Sequence, residues 1–153
     1  MRPVLFALLA LAQLPSLPAN AGDPAEVRIG ERLFTQAEID EGAALFDRKC
    51  SQCHGLDGVN YKGPWLNGVI DRPSASVPGW DYSPAMKGWG GVWTVENLQT
   101  YLTKPVDFIP DVAMNFGGFR SKTEDRDKVI AYLILMAATQ AEDGQPAAES
   151  GSD

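Results

Sequence analysis

The sequence predicts an all-α domain whose three main helices and long loops wrap around one flat apolar body that the polypeptide does not itself supply. Three observations carry this. Three segments combine a capping residue with an apolar stripe at helical spacing. The stretches between them are long and rich in Gly, Pro and Trp. Two cysteines and the only histidine stand together as Cys50-Ser51-Gln52-Cys53-His54. Loops as long as His54 to Trp93 are uncommon in a compact domain, and a large bound group on which they pack accounts for them.

The chain has 153 residues, room for one domain. Its 20 Asp and Glu outweigh 13 Lys and Arg. A surface of that sign is solvated but gives phosphate no footing, so nucleic acid is excluded as a partner.

Residues 1–21 read as an export signal. Met1-Arg2 gives a positive start, Val4 to Leu11 is an apolar run, and Ala19-Asn20-Ala21 fits a small-residue cleavage site. The apolar run is too short to span a bilayer, and no later segment is long and apolar enough to do so. The expected location is the periplasm, with no membrane span after cleavage. Residues 22–35 form an amino-terminal extension to which the sequence assigns no role.

The first helix is expected from Gln36 to His54, with Thr35 and Glu38 as a capping box and Ile39, Ala43 and Phe46 on one face. The second is expected from Val95 to Lys104. Thr94 caps it, Leu98, Tyr101 and Leu102 form its stripe, and Pro105 ends it. The third is expected from Lys122 to Thr139, with Ser121 and Glu124 as a second box and Val129, Tyr132, Leu133 and Met136 facing inward. The domain thus spans 36–139. Residues 140–153 are acidic and small, and read as a disordered tail.

Two cysteines in an exported chain first suggest a disulfide, but C-x-x-C-H is the signature of covalent haem attachment. Each thiol adds across one of two neighbouring vinyl groups, and two intervening residues present both sulfurs to the same porphyrin edge. The adjacent His54 then meets the iron from that side. Structural zinc fails on inventory, since it wants four Cys or His ligands and the chain holds three. A thioredoxin-like pair fails for want of alternating strands and helices. The cofactor expected is one haem c, covalent through Cys50 and Cys53, with His54 as an iron ligand.

An electron-transfer haem takes a second axial ligand, and Met raises its potential. Met1 leaves with the signal, and Met136 lies in an apolar helical run. Met86 sits in a polar loop, Ser83 to Lys87, that is able to fold over the iron. Met114 follows one helix and precedes another in a segment bounded by Pro110 and Gly117-Gly118, as an ordered loop should be. Met114 is the expected ligand. The alternative is a loop methionine packed on the haem edge without ligation.

Over residues 36–139 these features together resemble a class I cytochrome c. Gly42 and Phe46 precede the haem motif at the family's spacing and resemble the face that packs on Tyr132. Gly63-Pro64-Trp65-Leu66-Asn67-Gly68-Val69 is similar to the loop that follows the motif. The resemblance implies a cytochrome c fold and a set of site residues. Pro64 offers its carbonyl to the His54 ring N–H. Arg72, Trp80, Tyr82 and Trp93 bond the propionates, Tyr101 lies near the methionine sulfur, and Phe116 shields the haem edge. Trp65 and Trp89 are expected as core or surface cover. The chain departs from the pattern at Asp111-Val112-Ala113, where many relatives carry Gly-Thr-Lys, and at Val106-Asp107, where the mitochondrial form has lysines. Electrostatic steering toward acidic partners is therefore expected to be weak or reversed.

The function implied is one-electron transfer rather than enzymatic turnover, by a monomer meeting transient redox protein partners. A fixed haem subunit of a periplasmic complex is the second reading, and a ligand-binding or peroxidatic haem protein the third.

Overall fold

The structure, a computed structural model, describes residues 25–142. The export signal at 1–21 and most of the tail at 143–153 lie outside the described residues.

The chain enters as a short antiparallel hairpin, β1 (Val27–Ile29) and β2 (Arg32–Phe34), in the register Val27↔Phe34, Arg28↔Leu33 and Ile29↔Arg32. Gly30 makes the turn possible, because its φ of 57° suits a residue without Cβ. Period-two alternation sends Val27 and Phe34 inward, where they form a small core with Ile39 and Ala131. The described part of the extension, 25–35, is thus packed onto the helices, and the hairpin departs from the all-α expectation. Two strands of three residues are too short for periodicity to announce.

Five helices follow among the described residues: α1 (Gln36–Lys49), α2 (Pro84–Trp89), α3 (Val95–Thr103), α4 (Pro105–Phe108) and α5 (Thr123–Glu142). The capping box of α1 is present, with Thr35 Oγ1 accepting from the Glu38 N–H and the Glu38 carboxylate accepting from the Thr35 N–H. Thr94 caps α3 by accepting from the Asn97 N–H. The pair expected at the start of α5 does not form that way. Glu124 instead reaches Arg32 and Lys128, at 3.3 and 3.5 Å.

Other boundaries differ too. α1 stops at Lys49 and not at His54, because the backbone groups after it are used elsewhere. The Cys50 carbonyl accepts from both the Cys53 and His54 N–H groups, and the Cys53 carbonyl accepts from Gly63 N–H. α5 runs on to Glu142, into the stretch expected as tail. Met86 lies on a helix rather than in a loop, since Ser83 caps α2 and Pro84 opens it. Gly90, with φ of 61°, closes that helix.

α1 and α5 form the scaffold. They approach at Gly42, where any Cβ would overlap the Lys128 carbonyl, and Phe46 meets Tyr132 with ring centroids 5.7 Å apart. The main core gathers α1, α3, α5 and the loops around Val69 and Ile109. Among the described residues no helix is long and apolar enough to cross a membrane.

Candidate functional site

The site starts from the turn that ends α1. With Cys50 N–H still bonded to the Phe46 carbonyl at 2.8 Å, Cys50 is an extension of the helix, and the turn through Cys53 follows within three residues. Both cysteines are free thiols, Cys50 partly buried and Cys53 exposed. Burial pushes the Cys50 thiol up to about 11, against the pull of Lys49, so it stays neutral at neutral pH. They do not form the disulfide that export first suggests.

His54 is fixed by its far nitrogen. Nδ1 lies 2.7 Å from the Pro64 carbonyl, and a carbonyl only accepts, so Nδ1 carries the proton and Nε2 keeps its lone pair. Such a bond sets the tautomer and ring direction of a metal-binding imidazole. Burial lowers the His54 pKa, outweighing the opposing effect of the Pro64 bond, so the ring is neutral. Gly63 leaves room for it, since a Cβ there would lie 2.5 Å from Cε1.

Met114 stands in the loop between α4 and α5, just after Asp111, whose φ is 63°, and the buried Val112. The Tyr101 hydroxyl donates to its Sδ across 3.2 Å. Tyr101 is buried on α3, and burial raises its pKa far above the phenol range, so it remains a donor.

These groups share one cavity of about 420 Å³. Its wall contains Cys50, Cys53, His54, Pro64, Arg72, Trp80, Tyr82, Trp93, Tyr101, Met114 and Phe116, so every site residue expected from the sequence comes to it. Trp65 and Trp89 are not in the wall. Trp65 lies under the Arg72 guanidinium, 4.7 Å from its ring centroid, and Trp89 packs behind Trp93. Arg72 donates to the carbonyls of Asn67 and Trp65, at 2.9 and 3.1 Å, which consumes part of its fork. The Tyr82 hydroxyl accepts from the Val77 N–H at 3.3 Å.

Sequence reasoning gives no cavity role to other apolar residues of the wall, Phe46, Leu66, Val69, Leu98, Leu102, Val112, Val129 and Leu133, while Met86 enters it as the methionine weighed against Met114. The stripes of the second and third helices carry the signal for Leu98, Leu102, Val129 and Leu133, which periodicity alone assigns to helix-to-helix core. Nothing local marks Val69 or Val112.

Protein interiors are packed to crystal density, so an apolar cavity of this size at the meeting of the main helices is shaped for a large apolar group. The donor set fits haem. Two thiols stand at one end, with a neutral imidazole and a soft thioether also in the wall. Among the described residues no cluster of three His, Cys, Asp or Glu gathers for another metal.

Comparison with known proteins agrees. Residues 37–133 match the family described as "Cytochrome C oxidase, cbb3-type, subunit III". The chain is 43% identical over 110 residues to "Cytochrome c-type cyt cy" of Rhodobacter capsulatus, covering 72% of this chain but only 54% of that relative's length. It is 41% identical over 110 residues to "Cytochrome c2" of Agrobacterium tumefaciens, covering 69% of this chain and 97% of the relative. It is 41% identical over 99 residues to "Cytochrome c type-1" of Ascaris suum, covering 64% and 88%. A C-x-x-C-H turn opening on an apolar cavity, within a sequence that matches over most of its described length, places this chain in the class I c-type cytochromes, electron-transfer proteins that carry a covalently attached haem c.

Proposed function

We propose that this chain is a periplasmic one-electron carrier, exported by residues 1–21, that shuttles electrons between redox complexes with His54 and Met114 as the axial ligands of its haem. The observation that carries the ligand assignment is that both side chains line one cavity and each is held by its own hydrogen bond, His54 to Pro64 and Met114 to Tyr101. When bound, haem supplies the one-electron change. The chain's own residues do the rest. Pro64 fixes the imidazole, Tyr101 fixes the thioether, and the apolar wall keeps water out. Side chains that are pre-positioned need not move when the charge at the centre changes. The thioether and the burial both favour the reduced form, so the potential is positive in direction.

Docking follows from the rim. Cys53 is exposed, and Lys49 and Lys62 stand in the same wall. Among the described residues neither lysine is ion-paired, whereas Lys87, Lys104 and Lys128 each meet a carboxylate at 2.9, 2.6 and 2.7 Å. Asp81 stands in the same wall but is bonded to Lys87, so the two unpaired lysines set the local sign on an acidic protein, against the expectation of weak or reversed steering. Association with an acidic partner should slow as salt rises.

The test is the visible spectrum. The oxidised protein should show the weak sulfur-to-iron band at the red end. Met114→Ala should abolish it and Met86→Ala should retain it. Ready binding of carbon monoxide to the reduced protein at neutral pH would overturn Met114 ligation.

The matched family's description favours one second reading, a fixed haem subunit of a periplasmic redox complex. Co-purification with a large partner through high salt would select that reading over the free carrier.

A further inference from the structure

The last helix carries one stripe past the cavity. Val129 and Leu133 of α5 stand in the cavity wall, and Gln140 lies about two turns beyond Leu133 on the same face. Its side chain is partly buried and donates from Nε2 to the Leu56 carbonyl at 3.2 Å. Among the described residues this is the sole hydrogen bond from α5 beyond Leu133 to another part of the chain, since Thr139 bonds only within its own helix. The family match ends at residue 133, so the turns of α5 that bring Gln140 to Leu56 lie outside it.

Leu56 follows His54 by two residues, and its carbonyl is a node. A carbonyl oxygen accepts twice. Asn67 Nδ2 donates to it at 2.8 Å, which leaves the second place for Gln140. Asn67 also accepts through Oδ1 from the Gly58 N–H at 3.0 Å, and beside it the Leu66 N–H donates to the Gly55 carbonyl at 2.9 Å. The two stretches tied together here, 54–58 and 64–67, are the ones that carry the His54 ring and the Pro64 carbonyl, 2.7 Å apart. Gln140 does not line the cavity itself. It acts where these two stretches are joined.

We propose that Gln140 is a positioning residue for His54, a latch by which the end of α5 holds the loop that fixes the imidazole. This rests on the reading of His54 as an iron ligand. With the amide in place, the Leu56 carbonyl is anchored to the same helix face that lines the cavity, and the Pro64 carbonyl stays on Nδ1. Without it the loop keeps the Asn67 bond but is untied from α5, so the Pro64 bond opens more often. The partner of the far ring nitrogen raises the basicity of a ligand imidazole. A looser Pro64 bond makes His54 the poorer donor to ferric iron, which moves the reduction potential upward.

The test follows exchange of the His54 Nδ1–H with deuterated water, by NMR of the reduced, haem-loaded protein. Gln140→Leu removes the donor. Exchange should quicken roughly fivefold, the factor that one ordinary hydrogen bond contributes, and the reduction potential should rise. Thr139→Ala weakens the same turn of α5 without touching Leu56, and should leave both at the parent values. Gln140→Glu turns a carboxylate on the Leu56 carbonyl at neutral pH and should match Gln140→Leu there. Its exchange rate relative to the parent should fall towards one in acid, where the protonated carboxyl donates to that carbonyl. An unchanged exchange rate or a lower potential in Gln140→Leu overturns the latch. Equal quickening in Thr139→Ala overturns it too, because the effect would then be one of helix stability. So does a Gln140→Glu ratio that stays flat with pH. A parent protein whose His54 ring signals are not shifted by the haem would instead overturn the ligand reading.

Discussion

The Tyr101 hydroxyl lies 3.2 Å from the sulfur of Met114 and makes no other hydrogen bond among the described residues. The phenol sits among apolar side chains, with Leu98, Met86 and Val112 in the same cavity wall. A donor with one acceptor withdraws electron density from that sulfur alone.

Replacing Tyr101 by Phe removes the bond and keeps the ring. The sulfur becomes the better electron donor and favours the oxidised form, so the reduction potential falls. A hydrogen bond worth about 1 kcal/mol corresponds to about 40 mV for one electron, which is the upper size of the shift expected. Redox titration of the variant against the parent measures it, and a rise in potential would refute the argument.

Gly42 sits where α1 crosses α5. A methyl group there must displace the Lys128 backbone, which belongs to a helix and cannot swing aside. Gly42→Ala should therefore destabilise the haem-loaded protein by about 3 kcal/mol, the upper range for overpacking. Denaturant unfolding followed by circular dichroism reads the loss.

Gly63→Ala acts on the imidazole. Its Cβ would lie 2.5 Å from His54 Cε1 and 2.8 Å from Nδ1, so the ring must turn and give up the Pro64 carbonyl. The expected result is a lower yield of protein with covalently attached haem at equal expression. Haem staining of denaturing gels, normalised to total protein, measures this. Undiminished attachment would show that the ring has another way to settle.

The capping box makes stability depend on acid. The Thr35 N–H and then Arg32 hold the Glu38 carboxyl below the ordinary carboxylate range. A carboxyl with a lowered folded pKa contributes stability above its unfolded pKa, and loses that contribution as pH falls through the folded value. Glu38→Gln should therefore be less stable than the parent at neutral pH. The gap should close as acid protonates Glu38. Paired thermal melts across the acidic range test the convergence.

The parts of the fold that are legible in the sequence are those whose causes are local. Thr35 with Glu38, and Thr94 with Pro105, announce α1 and α3, because caps and breakers act within a turn. The end of α1 is not legible. Cys53 gives its carbonyl to Gly63, and no rule of helix periodicity contains that bond. The hairpin escapes for a similar reason. Val27 and Phe34 are apolar because they pack with Ile39 and Ala131, the latter far along the chain. Residue types expected around the cavity are readable where a family pattern or a polar role marks them. The cavity's apolar lining at Val69 and Val112 is not, because an aliphatic side chain looks the same whether it faces a helix or a cofactor.

By itself the sequence determined the chemistry of attachment. Five consecutive residues, Cys50 to His54, set the thiol spacing and the adjacent imidazole by covalent geometry alone. Only the tertiary structure decided what surrounds that chemistry. It brought Tyr101 to Met114, Pro64 to His54 and Trp89 to Trp93, and among the described residues it left Lys49 and Lys62 in the cavity wall outside any ion pair. Those relationships join residues on different elements, and packing of α1 against α5 around one cavity is the physical event that creates them.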